Sequence, residues 1–264
     1  MQRIGLIEEI QNTEEELLAY RGLTAETIQI KGHEGDVIDA YVARPKGDGP
    51  FPGVIVIHHM PGWDEWTTEV VRRFAHNGYS VISPNLHYRV GPGPLEEVVQ
   101  RVRDAGGSRD DFVLGDIKAS LEYLSAQPGA NGKIGVIGFC SGGRIAYMVG
   151  ANVPGVDAAV DCWGGNVVVP PDRLTPAQPK AVIDMTPDLA CPLLGLFGNE
   201  DQNPDPAMVN TMEAELKKHN KTYEFHRYDG AGHGFFAWER PYYRQAQAVD
   251  GWQKVYSFYE KYLS

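Results

Sequence analysis

"KIGVIGFCSGGRIAYMVG", residues 133–150, joins an apolar, β-branched run to a helical stretch through a turn crowded with glycine. The first half reads as a strand ending at Cys140 and the second, from Gly142, as a helix. Gly138 and Gly142 stand two positions to either side of Cys140. A side chain raised on a sharp strand-to-helix turn crowds the backbone at those two places, so both favour glycine. Ser141 is the competing nucleophile, but its neighbours at the same spacing are Phe139 and Gly143. The register therefore favours Cys140. The amides and dipole of the helix starting beside it favour a thiolate and can hold an oxyanion. The alternative is a small buried thiol that fills a tight turn.

Outward from this turn, strands and helices alternate. "VIVIHH" (54–59) is a nearly continuous β-branched run of the kind buried on both faces of a parallel sheet. "WTTEVVRRFAHNGY" is helical, "SVISPNL" a strand, and 95–126 holds helical pieces such as "DIKASLEYLSAQ". After the turn come strands at "DAAVDCWGG", "PLLGLFGNED" and "YEFHRYDG", a helix at "PAMVNTMEAELKKHN" and a closing helix ending in "YSFYEKYL". Earlier, "ETIQIKG" and "DVIDAYVARP" alternate apolar and polar residues, as two antiparallel edge strands do. Such βαβ alternation predicts an α/β fold, a mainly parallel central sheet with helices on both faces. The Pro-rich stretch 164–192 is expected to run over the surface near the site. Residues 8–20 read as an acidic helix, so 1–264 is expected to be a single domain with an N-terminal helical extension over about 1–25.

The composition, 42% hydrophobic and 22% charged, is that of a folded soluble chain. A formal net charge of −11 argues against nucleic acid as a partner, since phosphates require a basic footprint. The acidic first segment has no continuous apolar run, so neither a signal peptide nor a membrane partner is expected and the cytoplasm is the expected location. Cys140, Cys162 and Cys191 are too few and too scattered for a disulfide framework. His58, His59 and His87 lie near strand ends, but 58 and 59 point to opposite faces of a strand and no zinc-type spacing occurs. Neither a metal nor another cofactor is expected.

A nucleophile on this kind of turn needs a base within hydrogen-bond reach and an acid to orient it, in the chain order nucleophile, acid, histidine. "GNED" ends a strand with Asp201, and "AGHGF" places His233 on a glycine-rich loop after the last strand. Both fall at strand C-termini, where open α/β sheets bind ligands. Glu200 is the alternative acid, and Asp201 could instead cap the following helix. Gly232 and Gly234 would let the backbone hold the imidazole at an unusual angle. Arg144, on the helix after the turn, reads as an ion-pair residue.

With "VIVIHHMPGW", "YSVISPNLHYR", "GFCSGG", "GNED" and "AGHGF" spread over about residues 26–263, the chain resembles the dienelactone hydrolase family of the α/β-hydrolase fold. The resemblance implies hydrolysis of a small ester or lactone through Cys140, His233 and Asp201, with the backbone N–H groups of Met60 and Ser141 as the oxyanion hole. It also implies that Arg89 of "LHYR" pairs with a substrate carboxylate. Two places depart from the family pattern. His59 stands where the family has a glutamate that helps activate the cysteine, and either carries charge there or fills the pocket wall. Ala237 stands where well-known members have a second arginine. The expected pocket is thus less cationic and more aromatic, with His59, Arg89, Phe236 and Trp238 as substrate contacts beside Phe235. A non-hydrolytic binding or sensor protein on the same scaffold is the other reading these departures leave open.

Overall fold

The computed structural model describes residues 22–264, and the predicted helix over 8–20 lies outside the described residues. The strands are β1 (Leu23–Lys31), β2 (Val37–Pro45), β3 (Phe51–Ile57), β4 (Ser80–Pro84), β5 (Ala130–Phe139), β6 (Ala158–Cys162), β7 (Leu193–Gly198) and β8 (Tyr223–Tyr228). They form one sheet in the order β1-β2-β4-β3-β5-β6-β7-β8. β1 with β2 and β2 with β4 run antiparallel, and every other pair is parallel. The sheet is mixed but mainly parallel and is flanked by helices, as in the α/β-hydrolase fold.

The helices are α1 (Glu65–His76), α2 (Leu95–Asp104), α3 (Asp110–Ser125), α4 (Ser141–Asn152), α5 (Pro206–Lys218) and α6 (Gln245–Leu263). Two-residue alternation along the buried strands decides which helix packs where. Val54 and Val56 of β3, Ile137 of β5 and Leu194 of β7 face α1 and α6, through Val70, Phe74, Trp252 and Tyr259. Ile55 and Ile57, Val136 and Phe197 face the opposite side, where Ile117 of α3, Met148 of α4 and Met212 of α5 close a second core. Each such side chain, fully removed from water, contributes about 1.5–3 kcal/mol before the entropic cost of ordering it.

Close approach accounts for the glycines at the centre of β5. A Cβ on Gly135 would lie 2.7 Å from the Tyr259 ring, which is how tightly α6 sits on the sheet. β3 ends two residues earlier than the apolar run suggests: its pairing stops at Ile57 opposite Gly138, and His58 and His59 already belong to the loop beyond. The cause is the neighbouring turn, because Gly142 approaches so closely that its Cβ would be 2.5 Å from the Ile57 carbonyl oxygen. α1 begins at Asp64, whose side chain accepts the Thr67 N–H at 2.9 Å, and α5 begins at Asp205, which accepts from Met208 N–H at 2.7 Å with Pro206 in the first turn. Asp205 caps α5, which leaves Asp201 free for other work. The stretch 164–192 crosses the carboxyl edge of the sheet with two short 3-10 turns, Pro171–Arg173 and Val182–Asp188. No helix among the described residues is long and apolar enough to cross a membrane.

Candidate active site

Cys140 sits between β5 and α4 with φ 56° and ψ −119°, a left-handed conformation that costs a non-glycine residue energy and is held by its surroundings. Those surroundings are specific. A Cβ at Gly138 would lie 1.8 Å from the Gly142 carbonyl oxygen, and one at Gly143 would lie 2.4 Å from Asp161 Oδ1. The Cys140 N–H donates to the Cys162 carbonyl at 3.0 Å, and its own carbonyl accepts from Gly143 N–H at 2.9 Å, the first turn of α4. Ser141 is the first residue of that helix, so its register does not put its side chain on the turn.

His233 follows β8 on a loop, and its Nδ1 donates to Asp201 Oδ2 at 2.8 Å. The second Asp201 oxygen accepts the Asn203 N–H at 2.9 Å, and the Asn203 side chain in turn bonds Asn166 in the surface stretch. Asp201 is buried and fixed on both oxygens, whereas Glu200 points to solvent. Of the two glycines flanking the histidine, only Gly234 has a positive φ, 77°. A Cβ at Gly232 would meet nothing nearer than 3.7 Å.

Cys140 lines the same cleft as His233, and thiol and imidazole shift each other's affinity for a proton. Burial alone would push the Cys140 thiol up, but the hydrogen bond and charge of His233 and the N–H groups of Ser141 and Met60 together bring it below its ordinary value. Burial likewise opposes charge on His233, and Asp201 and Cys140 overcome it, raising the imidazole. The two shifts describe one coupled pair, thiolate and imidazolium. Cys162 and Cys191 go the other way: burial pushes both thiols up, Cys191 to about 12.

The cleft opening on this group has a volume of about 640 Å³. Met60, Cys140, Ser141, Asp201 and His233 all line it. The remaining expected contacts do not. Arg89 is turned into the protein: Nη1 and Nη2 donate to Asp116 at 2.7 and 3.0 Å and Nε to Asp36 at 2.7 Å. Held by two carboxylates, one of them wholly buried, it borders a separate cavity with Trp63 and His87 and is not available to a substrate at Cys140. His59 Nε2 bonds Asp64 Oδ2 at 2.7 Å and its ring lies against Trp66, so it secures the start of α1 instead of contacting the cleft. Although burial opposes it, this bond with those from Thr67 lowers the Asp64 carboxyl to about 2. Phe236 is buried among Trp163, Phe235 and Trp252 beneath the histidine loop, and Trp238 borders a different groove near Arg73. The expectation of an aromatic, less cationic pocket is therefore overturned. Apart from His233 no aromatic ring lines the cleft, while Arg103, Arg144 and Arg173 do.

Of these arginines, Arg144 is an ion-pair residue: buried, it donates from both Nη atoms to Asp110 at 2.8 and 3.0 Å. Asn203, Arg103 and Arg173 carry no motif, and only the placement of the stretch 164–192 over the site hinted at the residues that line it. His58 is locked as the Nδ1–H tautomer, donating to the His59 carbonyl at 2.9 Å and accepting the Leu86 N–H at Nε2 at 3.1 Å. Burial, with His87 next to it, pushes it well below the usual imidazole range.

The family model for the dienelactone hydrolase family matches residues 38–263. The chain belongs to the dienelactone hydrolase family. It is an enzyme of that hydrolase family. A carboxymethylenebutenolidase-like protein of Methylorubrum extorquens AM1 is 35% identical over 91% of this chain and 82% of its own length. One of Escherichia coli K12 is 36% identical over 87% and 84%. The crystal structure of a dienelactone hydrolase-like protein from Klebsiella pneumoniae superposes with a TM-score of 0.83 at 32% identity, covering 91% of this chain and all of that one.

Proposed function

We propose that the protein hydrolyses small carboxylic esters or lactones through a thioester on Cys140, with His233 as acid and base and Asp201 as its orienting partner. The observation that carries this reading is that Cys140, His233 and Asp201 line one cleft, with the His233 Nδ1–H donated to Asp201 at 2.8 Å and the imidazole coupled electrostatically to the Cys140 thiol.

The Cys140 thiolate attacks the carbonyl carbon, and the electron pair moves to the carbonyl oxygen. The N–H groups of Ser141 and Met60, which help lower the Cys140 thiol, would receive that oxyanion. One such donor lowers the barrier by about 3–4 kcal/mol. The tetrahedral species collapses by expelling the alkoxide, which takes the proton of the His233 imidazolium. A lactone stays attached as a ring-opened thioester. The now neutral imidazole draws a proton from water as it attacks the thioester, and the thiolate leaves with the imidazolium restored beside it. Asp201 holds Nδ1–H throughout, fixing the tautomer that points Nε2 at the sulfur. A second carboxylate is unnecessary for thiol activation in this reading, because His233 and the two amides already bring the thiol below its ordinary value.

Turnover of 4-nitrophenyl acetate by the wild type, Cys140→Ala, Cys140→Ser and Ser141→Ala tests the reading. Loss in Cys140→Ala with retention in Ser141→Ala is the expected result. Retained turnover in Cys140→Ala would overturn it, as would a wild type inert toward a broad panel of esters and lactones.

A further inference from the structure

We infer that Asp161 is a positioning residue for the nucleophile, a carboxyl group held as the neutral acid that braces the backbone anchoring Cys140. The inference rests on the hydrolytic reading above and adds to its machinery a group that touches no substrate.

Asp161 lies one residue before the end of β6, and its side chain is wholly removed from solvent. Residues two apart share a face of a strand, so its carboxyl lies on the side of Ala159, which packs into the core with α4. Its neighbours across the sheet are Gly138 of β5 and Gly195 of β7, so neither adjoining strand offers it a side chain there. Oδ1 accepts the Gly164 N–H at 2.7 Å, and Oδ2 is buried with no partner among the described residues. The titratable groups around it supply no cation. Tyr147 of α4 has its hydroxyl on Thr186, Cys162 is a buried thiol, and the Arg144 guanidinium is taken by Asp110. An ionised carboxylate in that place is an unpaired buried charge, and a buried acid so placed keeps its proton instead. The proton belongs on Oδ2. In agreement, burial pushes the Asp161 carboxyl up to about 7, opposed only by the Gly164 N–H.

What the carboxyl braces is the turn at Cys140. A Cβ at Gly143 would lie 2.4 Å from Asp161 Oδ1 and 2.8 Å from the Cys162 carbonyl oxygen, and one at Gly164 would lie 2.4 Å from the same Oδ1 and 2.5 Å from the Arg144 backbone nitrogen. The carboxyl is wedged between the first turn of α4 and the bend that follows β6. Its bond to Gly164 closes that bend around Cys162 and Trp163, the latter in the left-handed region at φ 44°. The Cys162 carbonyl, inside the closed bend, accepts the Cys140 N–H at 3.0 Å. Asp161 thus acts on the nucleophile through the backbone of Gly164 and Cys162. A charge there would work against the site, because a carboxylate beside the first turn of α4 competes with the Cys140 thiolate and the oxyanion for the field of the same amides. The neutral acid braces the bend and leaves that field to the sulfur.

The test uses the full chain with Asp161→Asn, which keeps an acceptor for the Gly164 N–H but does not titrate, and Asp161→Ala, which keeps neither. Melting temperatures from about pH 5 to 8 test the proton. A carboxyl at about 7 in the native state and about 3.9 unfolded loses stability as pH rises between those values, so the wild type should fall about 5–10 °C relative to Asp161→Asn over that range. A difference that stays constant within about 2 °C would overturn the neutral acid, and this comparison decides even where Asp161→Ala does not fold. Positioning is read at about pH 6 with 4-nitrophenyl acetate. Asp161→Ala should lose about tenfold or more in kcat with KM within about twofold, and Asp161→Asn should restore kcat to within about threefold of wild type. Unchanged kcat in Asp161→Ala, or Asp161→Asn as impaired as Asp161→Ala, would overturn the role. If the wild type cleaves no ester, the hydrolytic reading fails, and the pH midpoint of Cys140 alkylation by iodoacetamide decides the positioning separately. An upward move of about half a unit or more in Asp161→Ala but not in Asp161→Asn supports it, and any other pattern rejects it.

Discussion

Replacing Asp110 by alanine isolates the contact that docks the helix following Cys140 against its neighbour. The Arg144 side chain is 5% exposed and that of Asp110 10%, and the two-pronged bond between them joins α4 to the first residue of α3. Arg144 Nε is buried and has no partner, so Asp110 is the sole neutralising group the guanidinium has. Alanine at 110 leaves a buried cation uncompensated, which costs about 3–5 kcal/mol. In a domain of this size each kcal/mol lowers Tm by about 2–4 °C, so the variant should melt on the order of 10 °C below the wild type. Removing both charges, as in Asp110→Leu with Arg144→Met, abolishes the unpaired charge and should recover most of the loss, ending within about 1–2 kcal/mol of wild type. Urea unfolding followed by tryptophan fluorescence and by circular dichroism gives these differences, provided the two probes coincide. A single variant that loses less than about 1 kcal/mol, or a double variant as unstable as the single, would refute the reasoning that the cost lies in the orphaned charge.

Iodoacetamide should modify Cys140 well before Cys162 or Cys191, since burial raises the last two thiols and His233 with two amides lowers the first. Mass spectrometry of partly labelled protein reads the order, and equal labelling of all three would contradict it. As pH falls, alkylation of Cys140 should persist below the ordinary thiol pKa of about 8.5, because a depressed acid stays ionised there, and His233→Ala should move the midpoint upward by leaving burial opposed only by the amides. Asp64, lowered to about 2, contributes stability that is complete above its unfolded pKa of about 3.9 and is lost as pH drops toward 2, so the destabilisation of Asp64→Asn at neutral pH should shrink across that window. Gly232→Ala should leave Tm within about 1–2 °C of wild type, whereas Gly234→Ala, strained at φ 77° with Tyr242 only 2.7 Å from the added Cβ, should lower both Tm and ester turnover.

Local pattern and spacing carried the alternation of strands and helices, the antiparallel edge, the turn at Cys140 and the candidate trio in the sequence. These are readable because strand period, helix period and the steric need for glycine around a raised side chain are properties of neighbours along the chain. Gly138 and Gly142 show this most directly, each facing a carbonyl oxygen at a distance no Cβ survives. The sequence also left the choice between Asp201 and Glu200 open, and it was the path of the chain after β7 that buried one beside His233 and left the other in water.

What the tertiary structure alone decided is where charge is spent. Arg89 looks free in the string "LHYR", yet Asp36 and Asp116, distant in sequence, fold against it and satisfy every fork of its guanidinium. Arg103 and Arg173 lie in unremarkable polar stretches, and they reach the cleft because Thr175, Gln178 and the backbone at Asp110 stitch two remote segments together. Phe236 and Trp238 follow the His233 loop in sequence but leave it in space, one into the core and the other to a separate groove. Ion pairing and desolvation depend on groups brought together from far along the chain, so a residue's type and near neighbours set what it can do, and the folded contacts set what remains for it to do.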